Sequence, residues 1–109
     1  MELLRIATVE GEPPVLQVEG EIDISTAEGL QTALDAALSA DPNLVIDMAG
    51  VTFFDAAGIR VVLQVAASRD GAGPLTLVNA AQVKRVLELV GLGGLPCIVF
   101  RDGCELRGR

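Results

Sequence analysis

Between residues 27 and 100 short apolar runs alternate with amphipathic segments, and this alternation limits the fold more than any other feature of the chain. LVIDM (44–48) is apolar without a period of two, as a strand buried on both faces requires, and it lies between two segments of helical spacing. In the first, Ala27, Leu30, Leu34 and Leu38 recur on one face until Asp41 and Pro42 stop the pattern. In the second, Ile59, Val62, Leu63 and Ala66 oppose Arg60, Gln64 and Ser68 up to Asp70-Gly71. A further β-like run, LTLVN (75–79), leads to a third helix in which Val83, Val86, Leu87 and Val90 face inward and Gly91 closes the end. CIVF (97–100) reads as an edge strand. Strand-helix-strand units of this length force parallel pairing through right-handed crossovers.

Upstream, LLRIATV (3–9) and VLQVEGEI (15–22) read as strands joined by Gly-Glu-Pro-Pro, so the sheet is mixed. The expected class is α/β: a small mixed sheet, order β-β-α-β-α-β-α-β, with helices mainly on one face. Residues 1–109 form one domain, and those from Arg101 on either hairpin back around Asp102-Gly103 or fray. Ser25 with Glu28 fits a capping box for the first helix, with Thr26 as the alternative cap. Asp55 caps the second after a loop AGVTFF, and Asn79 with Gln82 the third.

Aromatic residues are 3% of the chain, all Phe, so Val, Leu, Ile and Ala must fill the core. The net charge of −7 repels phosphate backbones and anionic lipid heads, which argues against direct nucleic-acid binding and membrane association, although charge of this size also simply keeps a small protein soluble. No apolar run reaches the ~20 residues of a spanning helix, and the first residues lack a secretory pattern, so membrane insertion is not expected and the cytoplasm is the expected location. Without a single His, Cys97 and Cys104 cannot complete a zinc site or a Cys-His pair; two reduced thiols are expected, with a redox switch as the alternative.

Chemistry is thinly supplied. Asp23, Asp47 and Asp55 fall near strand ends, where open α/β sheets bind ligands, but each also has a plain structural role as turn, strand end or helix cap. No glycine string matches a phosphate cradle. The sequence therefore implies no catalytic residue, metal or cofactor. FFDAAGIR (53–60) is different in kind: either one Phe stands exposed beside a helix start as part of a docking patch, or both lie in the core.

Taken together, GEIDISTAEGL (20–30), LVIDMAGVTFFDAAGIRVV (44–62) and LTLVNAAQVKRVLELVGL (75–92) resemble, in order, the three signature blocks of the STAS family. The stand-alone members of this length are typically anti-sigma factor antagonists. The resemblance implies a protein that binds an anti-sigma factor, often a serine kinase, and so frees a sigma factor. It places partner binding on Asp23 and Thr26 of the first loop and on Phe54, Asp55, Ala56, Ala57, Gly58 and Arg60 around the start of the second helix. Gly58 has the alternative role of close helix-sheet packing. The resemblance also implies phosphorylation of a Ser directly after the Asp, but Ala56 stands there and Ala57 follows, so that switch has no hydroxyl to act on. Two readings follow: an antagonist bound constitutively to its partner, or a STAS subunit of a lipid-transporting ABC system or a stress-sensing or chemosensory complex. A homodimer is compatible with either.

Overall fold

The computed structural model describes residues 3–69 and 71–101. In chain order the elements are β1 (Leu4–Val9), β2 (Val15–Ile22), α1 (Ala27–Ala40), β3 (Val45–Phe54), α2 (Ala56–Ala67), β4 (Leu75–Val78), α3 (Ala81–Leu89) and β5 (Ile98–Arg101). This is the order that the sequence predicts. The strands form one sheet, β1-β2-β3-β4-β5, in which β1 is antiparallel to β2 and all later neighbours are parallel. Each helix thus connects a strand to its immediate neighbour, always stepping in the same direction. Right-handed crossovers that keep stepping one way leave all three helices on the same face.

That face holds the core. Leu16, Val18, Ile46, Met48, Leu75, Leu77 and Ile98 reach it from the strands, and Leu30, Leu34, Leu38, Val62, Val65, Val83 and Leu87 meet them from the helices. Each such side chain, removed from water, contributes about 1.5–3 kcal/mol. On the opposite face Arg5 pairs with Glu19 across the β1–β2 register. Val45 and Val78 are buried there too, which is why LVIDM shows no alternation.

Five local expectations are corrected. The loop expected at AGVTFF is the second half of β3, which runs to Phe54 because a long β2 supplies partners: Gly50 pairs with Glu19, Val51 with Gly20 and Phe54 with Ile22. Tertiary pairing here overrides the weak strand preference of Ala49-Gly50. The pairing passes through a bulge beside Gly20, whose φ of 110° and contact with the Leu3 carbonyl exclude a side chain.

The Ser25–Glu28 capping box does not form. Thr26 occupies the N-cap position, but its hydroxyl serves the preceding turn and makes no cap bond to the helix. Asn79 does not cap α3 either; Ala80 holds that position, while Asn79 adopts φ 53° and donates from Nδ2 to Asp47 Oδ1 at 3.1 Å.

The buried stripe of α2 is Gly58, Val61, Val62, Val65 and Ala66, rotated from the expected one, and Ile59 and Leu63 are half-buried. In α3 Val83 and Leu87 face inward as expected and Val86 is half-buried, but Val90 is 54% exposed because the helix ends at Leu89. Cys104 and the hairpin expected around Asp102-Gly103 lie outside the described residues. Among those described, no helix is long and apolar enough to cross a membrane.

The buried stripe of α2 starts from a close contact at Gly58. A Cβ on Gly58 would stand 2.5 Å from Phe54 Cε1 and 2.9 Å from Ile22 Cγ2, so the helix approaches the sheet as closely as a bare backbone allows. Gly58→Val overpacks this contact and should lower stability by about 1–3 kcal/mol, checked by urea unfolding at constant m.

Candidate functional site

The first turn of α2 and the loop between β2 and α1 meet at one end of the helical layer. Asp55 sits at the N-cap of α2 with extended backbone, and its Oδ1 accepts the Ala57 amide at 2.9 Å, as expected for a cap. Ala56 follows and is exposed; Ala57 is half-buried. Removing the cap by Asp55→Ala should cost about 1 kcal/mol, read from the shift of the thermal midpoint.

The β2–α1 loop is tied internally. Asp23 Oδ1 accepts the Ser25 hydroxyl at 2.6 Å and the Ser25 amide at 2.9 Å. Thr26 Oγ1 accepts the Asp23 amide at 3.0 Å and donates to the Glu21 carbonyl at 2.9 Å. These bonds hold the turn in one shape and leave Ile24, between the two polar anchors, 88% exposed.

The Ser25 hydroxyl is the main reason that the Asp23 carboxyl titrates below its ordinary 3.8; the amides of Ser25 and Thr26 add to it and partial burial opposes it. A lowered folded value means that the turn's contribution to stability is present above 3.8 and is lost as pH falls through the folded value. In an NMR titration the Asp23 carboxyl should have its midpoint below 3.8, and Ser25→Ala should move that midpoint upward.

Between α1 and α2 lies an open groove of about 590 Å³, lined at this end by Ile24, Ala27, Glu28, Asp55, Ala56 and Ala57 and further along by Arg60, Val61 and Gln64. The structure therefore brings together Asp55, Ala56, Ala57 and Arg60, while Asp23 and Thr26 shape the turn beside them. It removes two expected residues from the surface. Phe54 is 5% exposed and packs inward over Ile22, because strand alternation turns it to the helical side. Gly58 is buried against Phe54 and serves helix-sheet packing instead of a partner's backbone. Of the Phe pair one is therefore inside and one outside: Phe53 is 47% exposed.

Sequence reasoning missed Ile24. The signal was present: it follows the strand stripe ending at Ile22 and precedes the helix stripe beginning at Ala27, so neither element offers it an interior place. The three aspartates do not converge. Asp55 caps α2, Asp23 ties its turn, and Asp47 accepts the Ala49 amide and Asn79 Nδ2. Among the described residues no group of three His, Cys, Asp or Glu side chains is placed to hold a metal ion.

The model of the family described as "Mlab, STAS domain" matches residues 7–99. The chain belongs to the STAS domain family. No curated protein matches it significantly. Among solved structures this STAS domain is similar to an anti-sigma factor antagonist from Mycobacterium paratuberculosis, with 25% identity, a TM-score of 0.72, and 88% of this chain and 85% of that chain covered. It is also similar to the anti-sigma factor antagonist SpoIIAA in its unphosphorylated form, at 23% identity, TM-score 0.66 and 97% of each chain. The Bacillus cell fate determinant SpoIIAA in its phosphorylated form gives 22% identity, TM-score 0.63 and coverage of 97% of this chain and 99% of that one. The last two establish the fold; the order of elements and the one-sided helical layer are those of a STAS domain.

Proposed function

We propose that this STAS domain is a non-catalytic regulatory protein that binds an anti-sigma factor of the serine-kinase type and thereby releases a sigma factor. Likeness to solved anti-sigma factor antagonists supports the regulatory role. The contact surface in this reading is the first turn of α2, with Asp55, Ala56, Ala57 and Arg60, together with the turn built by Asp23 and Thr26. One observation carries it: a rigid turn holds Ile24 88% exposed beside a helix start whose first side chain, Ala56, is small and uncharged. An aliphatic side chain held in water by its own hydrogen-bonded turn gains about 2 kcal/mol when another protein covers it.

Ala56 also defines the regulation. A phosphate at this helix start would meet free amides and the positive end of the helix dipole, while adding bulk and two charges to the docking surface. With no hydroxyl at position 56, this helix start stays in its binding form, and control passes to abundance or to the partner. A second reading is favoured by the same missing hydroxyl: a STAS subunit of a larger assembly, such as a lipid-transporting ABC system, that never meets a kinase. The matching family model, described by "Mlab" and not as an antagonist, keeps this reading in view.

Titration against a panel of anti-sigma serine kinases from the same genome separates the two. Ala56→Glu and Ile24→Asp should each weaken the cognate complex at least about tenfold, equivalent to ~1.4 kcal/mol, with unchanged circular dichroism. Ala56→Ser should take up phosphate from ATP in the presence of the kinase and then dissociate, whereas the native chain takes up none at this turn. Undiminished binding by both charged variants removes the turn from the interface. Binding to no kinase, together with migration inside a large complex on native gels, selects the second reading.

A further inference from the structure

The groove does not stop at Gln64. A second cavity of about 440 Å³ shares Gln31 and Gln64 with the first and continues past Asp35 and Ser39 to Ser68. The two make one furrow along the seam of α1 and α2. From Ala27 to Leu38 it follows eleven helical steps, about 17 Å or three turns at 1.5 Å per residue.

Its walls differ. Near the Asp55 end the lining is apolar, with Ile24, Ala27, Ala57 and Val61; toward Ser39 and Ser68 it becomes polar. The α1 wall carries Glu28 and Asp35, two turns apart, and α1 contains no basic residue. The α2 wall carries Arg60. Among the described residues Glu28, Asp35 and Arg60 take part in no ion pair, so their charge is available to a visitor. Arg69, at the far end, is spent on the carbonyls of Pro42, Ala72 and Gly73.

We propose that this furrow seats an amphipathic helix of the partner, about three turns long, lying along the α1–α2 seam. Its apolar stripe meets Ile24, Ala27 and Ala57. Its basic flank faces Glu28 and Asp35 on α1, and an acidic residue on the other flank meets Arg60. This deepens the reading above and rests on it for the identity of the partner, but it extends the contact well beyond the Asp55 turn. The small side chains of Ala27 and Ala57 admit a helix backbone close to the floor. The opposite charges on the two walls fix its direction, because a reversed helix would bring its basic flank to Arg60.

The test uses designed helical peptides of about three turns with a Leu stripe: one with Lys on one flank and Glu on the other, one with Glu on both flanks, and one of the first composition with the stripe scrambled. The Lys/Glu peptide should bind at least tenfold tighter than either control and shift the amides of Ala27, Gln31, Val61 and Gln64 in NMR spectra. Glu28→Lys with Asp35→Lys should abolish this preference. Equal binding of all three peptides, or shifts confined to the far face of the sheet, overturns the proposal.

Gln64→Tyr, a surface change about 12 Å along α2 from Ala56, separates it from the parent reading when both variants are titrated against the kinase panel. Loss of binding in Gln64→Tyr as well as Ala56→Glu supports the furrow. Loss in Ala56→Glu alone overturns the furrow and leaves the turn as the interface. Loss in Gln64→Tyr alone overturns the turn and supports the furrow, and loss in neither overturns both.

Discussion

The contact of Gly58 with Phe54 and Ile22 sets the geometry on which the candidate site depends. A helix that meets a sheet through a bare Cα sits deeper than one that meets it through a side chain, and this seat pulls the first turn of α2 down onto the ends of β2 and β3. Asp55 then falls at the N-cap and Ala56 emerges on the outside. Phe54 fills the space under the helix, so its neighbour Phe53 must leave by the other side of the strand. The site is thus a by-product of packing: the residues that face solvent do so because those next to them are locked inside.

A second constraint acts on the scale of the whole sheet. Crossovers that step β2 to β3 to β4 to β5 without reversal place α1 and α2 side by side and parallel to each other. Two parallel helices in ridge-and-groove contact leave a seam on their outer side. What the seam recognises depends on the residues that the core does not use. On α1 these include Glu28, Gln31 and Asp35, and on α2 Arg60 and Gln64, so the walls carry opposite charge. The rigid turn at Asp23 closes the upper end with an aliphatic side chain instead of a polar one.

Much of this was legible in the residues. The order of all eight elements, the strand over 15–22, the stripe Leu30, Leu34, Leu38, the cap at Asp55 and the missing hydroxyl at 56 follow from local pattern, because each depends on residues within one or two turns of one another. The failures share a different property. The second half of β3, the depth of α2 and the left-handed Asn79 are decided by partners distant in sequence: β2 for the first, Phe54 and Ile22 for the second, Asp47 for the third. The resemblance placed Phe54 in the interface, and only strand alternation in a correctly extended β3 separates it from its exposed neighbour Phe53.

The sequence by itself determined the fold class, the parallel crossovers, the apolar composition of the core and the absence of a phosphate acceptor after Asp55, since hydrophobic period, turn residues and residue identity are local quantities. The tertiary structure alone decided which of the two Phe is buried, that Gly58 serves packing, that Ile24 stands in solvent, and that Glu28 and Asp35 line the α1 wall of a furrow whose α2 wall carries Arg60. Those are statements about which segments lie together, and that is decided only once the sheet has assembled and the helices have settled to the depth their smallest residues permit.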